Sequence, residues 1–165
     1  MYMRFKEEYF FCSPKLLRNI PEVNEIFECI KAVKWQPEFK LEDKNHQSAY
    51  NKAFEQEFSN YLWSNKPLLN DNPKLIGDFQ KNDVFVEIQF GNSATIYRDY
   101  YKFHYGLANK LLSLAVLIVP TNPKKFFPTR KSSVSNMAEF DFAYKYFNLL
   151  PIPVPILLIG LLPEN

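Results

Sequence analysis

Asp78, Glu87 and Gln89 are the residues of this chain whose types and spacing could carry chemistry. They lie in the run Asp78-Phe-Gln-Lys-Asn-Asp-Val-Phe-Val-Glu87-Ile-Gln89-Phe-Gly91. Hydrolysis of a phosphodiester requires charge on the phosphate to be neutralised and a nucleophile to be made from water near neutral pH. One or two Mg²⁺ ions do both, and such hard cations take carboxylate, carbonyl and water oxygens. Asp78, Glu87 and the backbone carbonyl of Ile88 would supply that shell. Gln89 could orient water or phosphate through its amide, but it has no titratable proton and cannot serve as a general base. On pattern alone, Glu87 and Gln89 could equally form the wet face of an edge strand, and two acids at this spacing are common.

The elements that must position these residues follow from periodicity. Val84, Val86, Ile88 and Phe90 share one face of a strand, while Phe85, Glu87 and Gln89 share the other. Glu87 and Gln89 therefore project side by side, about 7 Å apart. Asp78 precedes them by enough chain for a short hairpin or bend. Upstream, Ser13-Pro14 marks a helix start, with the hydroxyl as cap and proline in the first turn. Pro21 opens a helix with a stripe of Val23, Ile26, Phe27, Ile30 and Val33, expected to end near Trp35 before Pro37. Residues 36–46 and 64–74 are expected as loops. Between them, Tyr50, Ala53, Phe54, Phe58, Tyr61 and Leu62 mark a helix.

Strands are expected to begin near Leu75. Thr95 to Leu112 has helical spacing through Tyr97, Tyr101, His104, Ala108 and Leu111. Ser113 to Val119 is an apolar strand covered on both faces. Residues 137–149 are expected as a helix capped by Asn136, with Glu139 three positions on, and Val154 to Leu161 as the last strand. Strand, helix and strand from 113 to 161 suggest a right-handed parallel crossover. The whole predicts one α/β domain over residues 1–165, with 1–74 mostly helical and 75–162 carrying the sheet.

Composition narrows the class further. A chain of 165 residues with 16 Phe, 10 Tyr and only 4 Gly builds a packed core and is neither disordered nor collagen-like. The net charge of +2 demands no polyanionic partner. Its distribution is more telling: Lys124, Lys125, Arg130 and Lys131 fall between Pro120 and Asn136 with no acid among them, while acids gather at Glu22, Glu25, Glu28, Glu38, Glu42 and Asp43. Such a loop can touch phosphates, or simply be solvated. Cys12 and Cys29 form no paired motif and suit free thiols in a reducing compartment. The N-terminal run lacks the apolar stretch of a signal peptide, and Ile156–Leu162 is too short to span a bilayer, so a cytoplasmic location is expected. His46 has no partner visible in sequence. No zinc spacing, Ser/His/Asp order or phosphate-binding glycine loop occurs.

The extended run Asp78-Phe, Lys81, Val84, Glu87, Gln89-Phe-Gly91, followed by Asp99 and His104, resembles PD-(D/E)XK restriction endonucleases. More narrowly it is similar to their BglII/BstYI group, in which glutamine replaces the usual lysine. The strand ending at Pro120, the Ser132-Ser133 pair and Pro155-Ile-Leu-Leu-Ile-Gly160 extend the resemblance over residues 76–162, with a weaker echo in the helices before. It implies a restriction-endonuclease-like core, a central mixed β-sheet flanked by helices. It also implies a homodimeric, Mg²⁺-dependent enzyme that cuts both strands of a palindromic DNA site, in relatives a GATC-containing one cut to 5′ overhangs. A cognate DNA methyltransferase would protect the host.

Carried over by position, Asp78 and Glu87 become metal ligands, with the Ile88 carbonyl beside them, and Gln89 takes the lysine's catalytic place. Asn92 departs from the lysine carried just after Phe-Gly on the BstYI side of the group, which leaves base preference open. Ser132 and Ser133 become base contacts, with Lys124, Lys125, Arg130 and Lys131 as further DNA contacts. Nucleases of this fold sometimes use an acid on the preceding helix, yet a solvated helical face is the expectation for Glu55 and Glu57. His104 is expected as a core histidine with a satisfied hydrogen bond, and Ser135 and Asn136 as local caps. The chain is shorter than those enzymes, chiefly before residue 75, which implies a smaller DNA clasp or a shorter target. The alternatives are a nicking or repair nuclease of the same fold, and a non-catalytic DNA-binding protein.

Overall fold

The computed structural model describes residues 2–130, 134–149 and 153–163. In chain order, β1 (Arg4–Phe10) leads through α1 (Pro14–Leu17) and α2 (Pro21–Ala32) to a small hairpin of β2 (Lys40–Leu41) and β3 (Lys44–Asn45). Helix α3 (His46–Asn60) is followed by β4 (Ser64–Asn65), β5 (Leu68–Asn70), β6 (Leu75–Ile76), β7 (Phe79–Lys81) and β8 (Val84–Ile88). Then come α4 (Thr95–Ala108), β9 (Leu114–Pro120), α5 (Pro123–Phe126), α6 (Phe140–Phe147) and β10 (Ile156–Leu162).

The main sheet has the order β1-β10-β9-β8-β7-β4. Strands β8, β9 and β10 run parallel, and the strands outside them are antiparallel to their neighbours. The expected mixed sheet is present, and the segment from 113 to 161 does join two parallel strands. One face carries Val86, Ile88, Val116, Ile118, Leu157 and Ile159, packed with Ile26 and Ile30 of α2 and Phe54 and Phe58 of α3. The opposite face carries Phe85, Ala115, Leu117, Val119 and Leu158, packed with Ile96 and Phe103 of α4 and Phe140, Ala143 and Phe147 of α6. Covering on both faces is why β9 has no hydrophobic alternation. The ring of Phe58 stacks on Phe79 with centroids 4.3 Å apart, which fixes α3 over the β7–β8 hairpin.

Several boundaries differ from expectation. Strands begin at Arg4, not near Leu75, because β1 is an edge strand that among the described residues pairs with β10 alone. Its sequence alternates exposed Arg4, Lys6 and Glu8 with half-buried Phe5, Glu7 and Tyr9, and charges on an edge mask the strand pattern while blocking further pairing. Helix α2 ends at Ala32, where Val33 turns extended, and the Trp35 indole donates to the carbonyl of Phe126 at 3.0 Å. The loops expected at 36–46 and 64–74 contain the short strands β2–β3 and β4–β5. Helix α6 starts at Phe140 with Glu139 as its cap residue; Asn136 does not cap it and instead accepts from the Ser93 N–H at 2.8 Å.

Candidate active site

Strands β7 and β8 form a hairpin that turns at Asn82-Asp83, with Asn82 at φ 51, a left-handed conformation that asparagine tolerates. The register pairs Lys81 with Val84, Gln80 with Phe85 and Phe79 with Val86. Continued by one step, it sets Asp78 opposite Glu87. The Asp78 carboxylate accepts the Ile88 N–H at 2.7 Å, so a backbone donor beyond the ladder is satisfied and the acid is pinned to the end of β8. Beside it, Gln89 N–H donates to the Ile118 carbonyl at 2.9 Å, holding the segment to the carboxyl end of β9.

Two glycines flank the arrangement, and both are needed for room. A Cβ on Gly77 would meet the Phe85 ring at 2.2 Å and Glu87 Oε1 at 3.4 Å. One on Gly91 would meet Gln89 Oε1 at 2.7 Å. The backbone before Asp78 and after Gln89 is therefore pressed against the side chains it must position.

Glu87 is only 3% exposed. Its Oε1 accepts from Lys102 Nζ at 2.8 Å, and Lys102 also reaches Asp99 Oδ1 at 3.5 Å. The other Asp99 oxygen accepts from Gln89 Nε2 at 2.8 Å, while Gln89 Oε1 accepts the Gly91 N–H at 2.9 Å. A backbone N–H can face only the amide oxygen, so the Gln89 carboxamide has one orientation. Among the described residues, one amide hydrogen and one lone pair are left over.

Burial pushes the Glu87 carboxyl well above the usual carboxylate range; the charges of Asp78 and Asp99 add to this, and Lys102 opposes without cancelling it. Asp99 is raised as well, chiefly by burial, against the hydrogen bond from Gln89 and the charge of Lys102. Two carboxylates share the Lys102 ammonium and the charge of Asp78 lies near both, an excess of negative charge that a cation would relieve.

The donor set fits a hard divalent ion. Among the described residues no three His, Cys, Asp or Glu side chains converge as a metal cage. Asp78, Glu87 and the Ile88 carbonyl offer oxygen donors for part of the shell of such an ion, with the rest left to water.

A pH dependence follows from these shifts. Both raised carboxyls hold protons more tightly folded than unfolded, so their contribution to stability is full below the ordinary carboxylate range. It is lost as pH rises through the folded-state values. In the presence of a chelator, the parent is expected to lose Tm relative to a Glu87→Gln variant as pH is raised from acid to neutral. Parallel curves for the two proteins would contradict the raised value at Glu87.

Asp78 and Ile88 line an open groove of about 330 Å³, walled by Ser48, Asn51 and Lys52 of α3 together with Lys44 and Lys66. Glu55 also lines it, bonded to Asn65 Nδ2 at 2.7 Å and 3.6 Å from Lys52, so it shares the groove with Asp78 instead of sitting on a merely solvated face. Glu57 lies elsewhere, in a separate depression with Glu28 and Tyr61.

The other expected contacts scatter around this centre. Asn92 is exposed, and its Oδ1 accepts the Ala94 N–H at 2.9 Å in a local turn before α4. The segment after β9 returns to that point, since Asn92 bridges Met137 and Ala138 N–H donates to the Gly91 carbonyl at 2.8 Å. Lys124 and Lys125 are exposed on α5, whose start is capped by the Asn122 side chain. Arg130 is half-buried: it donates to Gln47 Oε1 at 3.0 Å and lies over the Phe127 ring, so it anchors the loop to the start of α3. Lys131, Ser132 and Ser133 lie outside the described residues. His46 opens α3 with its ring 3.3 Å from the Thr129 hydroxyl. His104 is half-buried beside the Tyr100 ring, not in the core.

Lys102 was not legible as part of a site. The spacing of Tyr97 and Tyr101 suggests the inner face of α4, yet these are 45% and 53% exposed, and the buried face is Ile96, Asp99, Lys102, Phe103 and Gly106. The available signal is an acid and a base three apart inside that apolar stripe, where each makes the other's burial tolerable. No helix among the described residues is long and apolar enough to cross a membrane.

Comparison with known proteins places this geometry in context. The family model of the restriction endonucleases BglII/BglIII matches residues 8–161. No curated protein sequence matches the chain. In structure the chain is similar to a crystal structure of the restriction endonuclease BglII complexed with a DNA 16-mer. The TM-score is 0.73 at 19% identity, covering 98% of this chain and 78% of that one, a likeness of fold.

Proposed function

The chain belongs to the BglII/BglIII family of restriction endonucleases and is a site-specific deoxyribonuclease; from that premise we propose a homodimer that cuts both strands of duplex DNA at a short palindrome with Mg²⁺. The observation that carries the assignment of the centre is the pinned Asp78, set by register opposite Glu87 and opening into a lysine-walled groove. Asp78, Glu87 and the Ile88 carbonyl would hold the ion. When bound, it neutralises phosphate charge and brings water towards its nucleophilic form near neutral pH. Gln89, locked by Asp99 and Gly91, keeps one N–H with which to orient water or a phosphate oxygen. Attack in line on phosphorus would release a 3′-hydroxyl.

Lys44, Lys52 and Lys66 supply the positive wall along which a strand could lie; Asn92, Lys124, Lys125, Arg130, Lys131, Ser132 and Ser133 are the further DNA contacts of this reading. Replacing Lys44, Lys52 and Lys66 together by Ala is expected to lower the salt dependence of DNA binding, by roughly two to three in the slope of log K against log salt, at about 0.9 per phosphate contact. An unchanged slope would remove the groove wall from the DNA path.

Dimerisation is supported by an exposed aromatic face on α4 and α6. Tyr97 and Tyr101 stand out of α4, and Tyr97 meets Tyr146 and Phe142 of α6 edge-on, at 4.5 Å and 6.4 Å between centroids. A patch of this kind is commonly covered by a partner, and a two-fold dimer matches the symmetry of a palindrome. Cleavage of a plasmid of known sequence with Mg²⁺, followed by sequencing of the ends, tests the whole reading. Linear products with one constant, self-complementary overhang are expected. Nicked circles alone, from a protein sedimenting as a monomer, would replace the dimeric cutter with a nicking enzyme.

A further inference from the structure

The side chains of Glu87 and Gln89 leave the same strand side by side, and the hydrogen bonds behind them form a closed circuit. Glu87 binds Lys102, Lys102 reaches Asp99, Asp99 holds the Gln89 amide, and the amide oxygen returns to the backbone at Gly91. The three ionisable side chains in that circuit are 8%, 4% and 2% exposed for Lys102, Glu87 and Asp99. A lysine in such a place gains nothing for packing over an apolar side chain of the same length, because the desolvation of a buried ion pair offsets most of its attraction. Its distinctive consequence is geometric. Lys102 ties two carboxylates that would otherwise repel each other, and through them sets the acid and the amide of the candidate centre at a fixed relation.

We propose that Lys102 is a positioning residue of the cleavage reaction: from α4 behind the sheet it holds Glu87 in place for a divalent cation and, through Asp99, sets the Gln89 carboxamide. This rests on the reading of Asp78 and Glu87 as cation ligands. Outer partners of a ligand commonly change metal affinity or activity by about 10–100-fold when removed. Lys102 would act at that level, touching neither DNA nor the reacting atoms.

The test uses a double variant of the chain. Lys102→Met alone leaves Glu87 and Asp99 without a counter-ion and can unfold the protein. Lys102→Met combined with Asp99→Asn removes both charges of the helix pair at nearly the same side-chain volumes, and the asparagine amide oxygen can still accept from the Gln89 amide. Thermal unfolding, binding of Mn²⁺ to the DNA-free protein by titration calorimetry, and kcat and KM on a cognate duplex are measured for the parent and the double variant. The expected result is a double variant with the Tm of the parent within a few degrees and an unchanged KM. Its Mn²⁺ midpoint should move up by about tenfold or more and its kcat should fall by about 10–100-fold. A folded double variant with the parental Mn²⁺ midpoint overturns the proposal whatever its rate, since Lys102 would then be only the structural counter-ion of Asp99. If the parent itself binds Mn²⁺ but cuts no DNA, the reading of the reaction fails, while the binding comparison still decides the role of Lys102 toward Glu87.

Discussion

Asp78→Asn is expected to abolish cleavage while leaving the fold intact or more stable. The amide oxygen of asparagine can still accept the Ile88 N–H that the carboxylate holds at 2.7 Å, so the end of β8 keeps its partner. What disappears is one negative charge next to Glu87, a charge that helps push the Glu87 carboxyl up. Removing it relaxes the crowded cluster, and the metal-free protein should unfold at or above the parental Tm. The rate should fall by at least about 10³-fold, because ligand-held cations contribute several kcal/mol to the transition state of phosphoryl chemistry and each 1.36 kcal/mol is about tenfold. Single-turnover cleavage with Mg²⁺ and binding to the cognate duplex with Ca²⁺ separate the two effects. Parental cleavage by this variant would remove Asp78 from the centre. Loss of duplex binding with an unchanged Tm would assign it to DNA contact instead.

Gly77→Ala is expected to damage both stability and rate through a single collision. The new Cβ would lie 2.2 Å from two atoms of the Phe85 ring, which is fully buried and edge-on to Phe103 at 6.0 Å. The ring cannot retreat, so the backbone before Asp78 must move. Overpacking of this kind costs about 1–3 kcal/mol, and a shift of about 1 Å at a catalytic group can cost 10²-fold in rate. Phe85→Leu in the same chain removes the atoms that collide. The double variant should therefore be more stable and more active than Gly77→Ala alone, although Phe85→Leu by itself leaves a cavity and destabilises. A double-mutant cycle with no coupling, in denaturant unfolding and in single-turnover rate, would show that the two residues do not meet.

The α4 helix shows why part of the site escapes a one-dimensional reading. It carries aromatic residues all round, so a 3.6-residue period fits an outer stripe through Tyr97 and Tyr101 as well as the inner one through Ile96 and Phe103. Asp99 and Lys102 look like surface charges in sequence, because the groups that complete their burial, Glu87 on Lys102 and the Gln89 amide on Asp99, arrive from β8 and the residue after it. The edge strand β1 escaped for the opposite reason: its charges are appropriate to an edge, and only β10 reveals it as sheet.

The chain alone determined the α/β class, the alternation that puts Glu87 and Gln89 on one side of a strand, the hairpin that brings Asp78 back towards them, and the family. The alternation and the turn are local or nearly local properties, decided by a two-residue period without reference to the rest of the fold, whereas the family was read from the resemblance of the whole motif run. Only the tertiary structure decided that Glu87 is buried on Lys102, that the Gln89 amide is locked at both ends, and that Glu55 and three lysines share a groove with Asp78. Those facts depend on which faces of α3 and α4 meet the sheet, and that choice is made by packing two aromatic-rich cores against its opposite sides.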